Sequence, residues 1–138
     1  MNGWIRMTLA PCTTPGLSAR VCGRIGVVQI AGLGARGSSG RCGVAKAAVA
    51  HRTHWRAMGV GPEVRVNAVN PGLVATRWFR QPFGEEAAEA QEVAFAKRTP
   101  LAFVATPEHV SQAIMGLIRS DAVTGQHLVV DGGVSAGY

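Results

Sequence analysis

No stretch of the 138-residue chain is apolar for long enough to span a bilayer, although 47% of its residues are hydrophobic and only 16% are charged. A soluble globular protein with no membrane partner is expected. The run from Met1 to Ala10 holds Arg6 and no sustained apolar core, so it reads as neither signal peptide nor anchor, and the expected location is cytoplasmic. Cysteine is sparse: Cys12, Cys22 and Cys42 are odd in number and show no Cys-x-x-Cys spacing. This argues against a disulfide framework or a zinc site and for reduced thiols. Acidic residues are nearly missing from one half, since residues 1–80 hold Glu63 alone against eleven Lys and Arg, and residues 81–138 hold seven acids against three. The arginines are scattered, with no aromatic platform or groove-reading motif beside them, so no specific nucleic-acid partner is expected. Internal repeats and low-complexity linkers are also missing. The length fits one domain, yet falls short of what parallel doubly wound folds usually need.

What is present is a series of strand and helix patterns. Asn2 to Pro11 reads as a short helix capped by Asn2, and Cys12 to Gly23 reads as turn residues around Pro15-Gly16. The β-branched run within Gly23 to Leu33 reads as a buried parallel strand. A glycine-rich turn holding Ser38 and Ser39 then feeds a helix from about Gly43 to Met58, stopped by Gly59 and Gly61-Pro62. Cys42 and Lys46 stand four apart and so share a face near the positive end of that helix. His51 and His54 also share a face. No third ligand accompanies them, so they read as a solvated or interface pair rather than a metal half-site. A strand from Val64 to Val69 ends at Pro71-Gly72, followed by a helix within Arg77 to Lys97 in which Trp78, Phe79 and Phe83 suit either a pocket or the core. Thr106-Pro107-Glu108 opens a helix with Val110, Ile114, Leu117 and Ile118 on its apolar face. The last strand lies within His127 to Gly133.

The runs Cys42-Gly-Val-Ala-Lys46-Ala-Ala-Val49, Val66-Asn-Ala-Val-Asn-Pro-Gly-Leu-Val-Ala-Thr76 and Thr124-Gly-Gln-His-Leu-Val-Val-Asp-Gly-Gly133 together resemble the C-terminal half of the short-chain dehydrogenase/reductase family. The match is good over residues 23–138 and poor over 1–22. It implies an α/β fold, a partial Rossmann-like doubly wound parallel sheet, in one incomplete domain spanning 1–138. It also implies reversible hydride transfer between NAD or NADP and a small carbonyl or alcohol substrate. In the family a Tyr-x-x-x-Lys pair moves the proton, and the lysine lowers the phenol pKa and holds the nicotinamide ribose. Here Lys46 stands at the lysine position and Cys42 at the tyrosine position. Gln29 is the approximate counterpart of the family's serine, and Asn2 of its relay asparagine, although the helix-cap reading of Asn2 is the favoured one. By the same resemblance Pro71 and Gly72 shape the nicotinamide wall, the Val74 main chain meets the carboxamide, and Thr76 bonds to it or to the adjoining phosphate.

The family's Gly-x-x-x-Gly-x-Gly loop is not in this chain, and a cysteine is too short to deliver a proton where a phenol would. The expected function is therefore an oxidoreductase-type fragment with impaired or no activity. The alternative is a non-enzymatic interaction module that pairs through an exposed sheet edge and helices. Homo-oligomerisation or a complementing chain is expected in either case.

Overall fold

The structure, a computed structural model, describes residues 22–27, 40–81 and 84–137. Among the described residues three parallel strands form one sheet: β1 (Cys22–Val27), β2 (Val64–Pro71) and β3 (His127–Val130), in that spatial order. Cys22 pairs with Val64 and Val27 with Val69 across the first seam, and Ala68 pairs with His127 and Pro71 with Val130 across the second. Helix α1 (Gly40–Val60) connects β1 to β2. Helices α2 (Arg77–Arg80), α3 (Glu85–Ala96) and α4 (Pro107–Arg119) lie between β2 and β3, and a short 3-10 turn over Val134–Gly137 follows.

Side-chain alternation along β2 divides the layers. Val66, Ala68 and Asn70 point to the α1 side, whereas Arg65, Asn67 and Val69 point to the α4 side. From Val66 to Pro71 the strand is buried throughout, as expected for a parallel strand covered on both faces. Full burial of a side chain such as Val69, which has no exposed surface, contributes about 2 kcal/mol.

Alanine favours the α1 helix, and its buried positions Ala50, Thr53 and Ala57 are small. Their spacing of three and four lays one narrow stripe on β2, and Gly125, at φ 72°, supplies the left-handed turn of the loop that passes Ala57 before β3. The helix runs two residues past the expected Met58. Gly59 stays helical, and the break comes at Gly61 and Pro62, which cannot donate to the ladder.

Helix α4 sits on the opposite face, against β2 and β3. Arg65 holds its C-terminal end: Nη1 donates to the Leu117 carbonyl at 2.8 Å and Nη2 to that of Ile118 at 2.8 Å, with Val123 O 3.3 Å from Nη1. A cation here satisfies carbonyls left over by the last helical turn and meets the negative end of the dipole. Asn67 completes the joint, donating through Nδ2 to Val123 O at 2.9 Å and accepting the Gln126 N–H at 3.0 Å. The expected Thr106 cap of α4 is present in an altered form, with His109 at the third helical position accepting the Thr106 N–H through Nδ1 at 3.0 Å. This is the reciprocal arrangement usually made by Glu or Gln.

The single helix expected over 77–97 is two helices. Gly84, at φ 77°, takes a left-handed conformation between them that other residues rarely adopt. The buried side of α3 is narrow. Ala87 and Val93 are exposed, Ala88 is fully buried, and Glu92 is largely covered because Arg80 pairs with it.

Candidate functional site

The candidate site lies where β2 ends. Lys46 is fourteen residues before the end of α1, a rise of about 21 Å, and Pro71 is seven residues beyond the start of β2, a rise of about 23 Å. Because α1 runs antiparallel to β2 over its face, Lys46 stands level with Pro71-Gly72, and Cys42 stands about one helical turn further out. Both are half-buried. The carboxyl ends of parallel strands are where open α/β sheets place their ligands.

After Pro71 the chain is held on two sides. The Gly72 N–H donates to the Val130 carbonyl at 3.0 Å, and the Ala75 N–H donates to the Ala105 carbonyl at 2.9 Å within a parallel bridge between Val74 and Ala105. In such a bridge the bonds run through the neighbours of Val74, so its own N–H and C=O point away from Ala105. Gly72 fits by having no side chain, because a Cβ there would lie 2.7 Å from the Asp131 Cβ. Asp131 is itself buried and fixed, with Oδ1 accepting the Gly133 N–H and Oδ2 the Ser135 N–H, each at 2.8 Å. Gly132 and Gly133 adopt positive φ and pack on Thr99 and Pro100. The Thr99 hydroxyl donates to Ala96 O at 2.8 Å and accepts the Phe103 N–H at 3.2 Å. The Asp-Gly-Gly turn thus supports the wall formed by Gly72 to Thr76.

Beyond the wall, α2 is clamped to α3. Arg80 donates from Nε to Glu92 Oε1 at 3.1 Å and from Nη2 to Oε2 at 2.9 Å, and it reaches Glu85 at 3.3 Å. The hydrogen bond and charge of Glu92 raise the Arg80 pKa, with Glu85 adding a smaller effect in the same direction. At the start of α4, the Glu108 carboxyl is lowered, first by a hydrogen bond with Thr106 and then by its own backbone N–H.

A histidine links the two walls. His127 Nε2 lies 3.1 Å from the Ala50 carbonyl, one turn beyond Lys46, and Nδ1 lies 3.4 Å from Asn70 Oδ1. Its ring meets that of His54 edge-on at 4.8 Å. Burial pushes the His127 pKa down, the charge of His54 adds to this, and the Ala50 carbonyl opposes it.

Of the residues picked out in the sequence, Pro71, Gly72, Val74 and Thr76 form the wall at this end of the sheet, and the rise along α1 carries Cys42 and Lys46 toward the same end. Asn2 and Gln29 lie outside the described residues, as do Phe83 and the side chains of Trp78 and Phe79. His127, Asn70, Asp131, Thr99 and Arg80 escaped the sequence reading. Their partners are distant in the chain or, as in Asp-Gly-Gly, look like an ordinary turn. Among the described residues no three His, Cys, Asp or Glu side chains gather into a metal site, and no helix is long and apolar enough to cross a membrane.

A parallel sheet covered by helices on both faces, with its candidate site at the strand ends, defines a partial Rossmann-like α/β protein. A family model described as enoyl-(acyl carrier protein) reductase matches residues 13–135. The chain is 35% identical over 109 residues to the short-chain dehydrogenase/reductase homolog YusR of Bacillus subtilis, covering 79% of this chain and 80% of that one. It is 32% identical over 133 residues to 7alpha-hydroxysteroid dehydrogenase of Bacteroides fragilis, covering 94% of this chain and 50% of that one. Among solved structures, ElxO with NADP bound superimposes with a TM-score of 0.73 at 25% identity, over 83% of this chain and 46% of that one. The chain belongs to the short-chain dehydrogenase/reductase family. It spans about half the length of curated relatives such as the Bacteroides enzyme.

Proposed function

We propose that this chain carries the nicotinamide-side wall and the lysine helix of an NAD(P)-dependent carbonyl or alcohol oxidoreductase, in one incomplete domain, with proton transfer impaired at Cys42. The observation that carries this reading is the outward-facing Val74 main chain, held by the Val74–Ala105 bridge and the Gly72–Asp131 contact at the level of Lys46. A main-chain N–H and C=O held at one spacing match a carboxamide, which offers one acceptor and two donors. Gly72 and Pro71 keep that backbone accessible, and Thr76 adds a hydroxyl. These groups fit the cofactor that the family uses, and ElxO holds NADP.

When bound, NAD(P) supplies or accepts the hydride. Lys46 would hold the cofactor's sugar and would lower the cost of negative charge on a proton donor one turn earlier in α1. At that place Cys42 offers a thiol whose sulfur stops several ångströms short of a phenolic oxygen, so a substrate oxygen seated for tyrosine would lie out of its reach. The wall and the lysine serve binding and orientation, and the proton step is the deficient one. Which carbonyl compound is taken depends on the segment around α2 and α3.

The test is titration of the whole chain with NADPH and NADH, followed by carbonyl reduction in a Cys42→Tyr variant. Saturable binding, with reduction appearing only in the variant, is expected. No binding of either nucleotide at millimolar concentration overturns the reading.

A second reading is favoured by one surface. Val44, Trp55 and Met58 are 74%, 68% and 88% exposed and lie on one side of α1 at spacings of eleven and three. A stripe of this kind invites a second helix, from another copy or from a complementing chain. Sedimentation of the chain and of a Trp55→Ser/Met58→Ser variant separates the readings. An assembly lost in the variant, together with no nucleotide binding, favours a purely interacting module, whereas a monomer at high concentration removes it.

A further inference from the structure

His127 and Asn70 face the α1 side of the sheet, two residues out of direct register, between the Lys46 helix and the Pro71-Gly72 wall. Asn70 has no exposed surface, and its Nδ2 has no hydrogen-bond partner among the described residues. A buried amide donor left unsatisfied is costly and uncommon. Its neighbour explains it. A carbonyl oxygen only accepts, so the 3.1 Å contact between His127 Nε2 and Ala50 O requires a proton on Nε2. In the neutral ring Nδ1 then holds a lone pair. With Oδ1 toward it, two acceptors would face each other and Nδ2 would stay orphaned. Turned over, the Asn70 amide occupies the same space and donates from Nδ2 to Nδ1, which pairs both nitrogens and leaves Oδ1 in the place the NH2 held. With Nδ1 protonated, the ring instead donates to Oδ1 and Nδ2 loses its partner.

We propose that His127 and Asn70 form a proton-coupled amide switch. In the neutral state, Nε2–H to Ala50 and Asn70 Nδ2–H to Nδ1 join the lysine helix to the turn at Gly72, and protonation turns the amide over and strands its buried NH2. His127 is a positioning residue in this device, acting on the wall through Asn70 and on α1 through Ala50. From α1 the titratable group facing the ring is His54, from β2 it is met by the uncharged Asn70, and no charged side chain of α4 acts on it among the described residues. Burial and His54 both favour the neutral ring. Because the folded pKa lies below the unfolded value, the unfolded chain takes up the proton first. The stability present at neutral pH is therefore lost as pH falls below about 6.5 and on toward the lower folded value.

Long-range 1H–15N imidazole spectra of the whole chain, uniformly 15N-labelled, test the switch. At pH 7.5 His127 should show Nε2 protonated and Nδ1 bare. On acidification the Asn70 side-chain NH2 and the Gly72 backbone amide should move with the His127 midpoint. An Asn70→Asp variant, which offers Nδ1 only an acceptor, should raise that midpoint by a unit or more. If that variant fails to fold, the tautomer and the shared midpoint of the unmutated chain decide. A ring protonated on Nδ1 at pH 7.5, or an Asn70 NH2 indifferent to the His127 titration, overturns the proposal. None of these readouts needs a nucleotide, so their failure is separate from failure of the proposed function.

Discussion

The two faces of β2 bury polar side chains equally deeply and treat them differently. On the α4 face, Asn67 is 2% exposed and both ends of its amide are bonded, to Val123 and Gln126, while the neighbouring Arg65 guanidinium closes the last turn of α4. On the α1 face, Asn70 is 0% exposed and one 3.4 Å contact, to His127, serves its whole amide. The directed bonds of Arg65 and Asn67 make the α4 face a joint that holds the layers together, although Arg65 Nε is buried without a partner among the described residues. Spare hydrogen-bonding capacity, a histidine and Lys46 collect on the other face, which is where chemistry has room to act.

The strongest test of that contrast is Arg65→Ala. It strips the carbonyls of Leu117 and Ile118 of a charged donor in one step, and the expected loss is about 3 kcal/mol in urea unfolding. A loss below about 1 kcal/mol would mean water replaces the guanidinium and the joint is open. Two glycines make the next comparison. Gly72→Ala puts a Cβ 2.7 Å from that of Asp131 and should cost about 2 kcal/mol by overpacking. Gly116→Ala meets nothing within 4 Å inside α4 and should gain up to about 1 kcal/mol from helix propensity. Equal signs for the two would refute the close packing of the wall.

A finer contrast uses the asparagines themselves. Both alanine substitutions leave similar cavities in β2, so their difference isolates the hydrogen bonds. Asn67→Ala should be the more destabilising by about 1 kcal/mol, measured by thermal and urea unfolding side by side. Equal losses would show that Asn70 is as well satisfied as Asn67 and remove the asymmetry.

The elements that could be read from the chain were those with a local signal. The apolar face of α4, Val110, Ile114, Leu117 and Ile118, follows a period that a window of one helix contains, and Thr106 at its cap is written beside it. The wall from Pro71 to Thr76 and the pair Cys42 and Lys46 were legible because they fall in contiguous runs. Arg65, by contrast, is one arginine among twelve, and its carbonyl partners are more than fifty residues away. His127 looked like an ordinary strand residue because Ala50 is 77 residues distant. The pairing of Glu92 with Arg80 across the break at Gly84 cannot be read from helical spacing. Burial of polar groups depends on contacts that only the assembled layers supply.

The smallest expected effect concerns that last pair and separates the clamp from the joint. Arg80 and Glu92 form a two-bond fork at the protein surface, with the Arg80 side chain 38% exposed and that of Glu92 13%. Water and salt screen such a pair, so Glu92→Gln should lower stability slightly, and the difference from the unmutated chain should shrink as salt is raised from low to molar concentration. Arg65→Ala should show little of that salt response, because its partners are uncharged carbonyls. If instead the Glu92→Gln deficit persists unchanged in molar salt, the fork acts by packing α2 on α3. The segment after the wall would then be as rigidly joined as α4, and the contrast between a fixed face and a working face would not extend beyond β2.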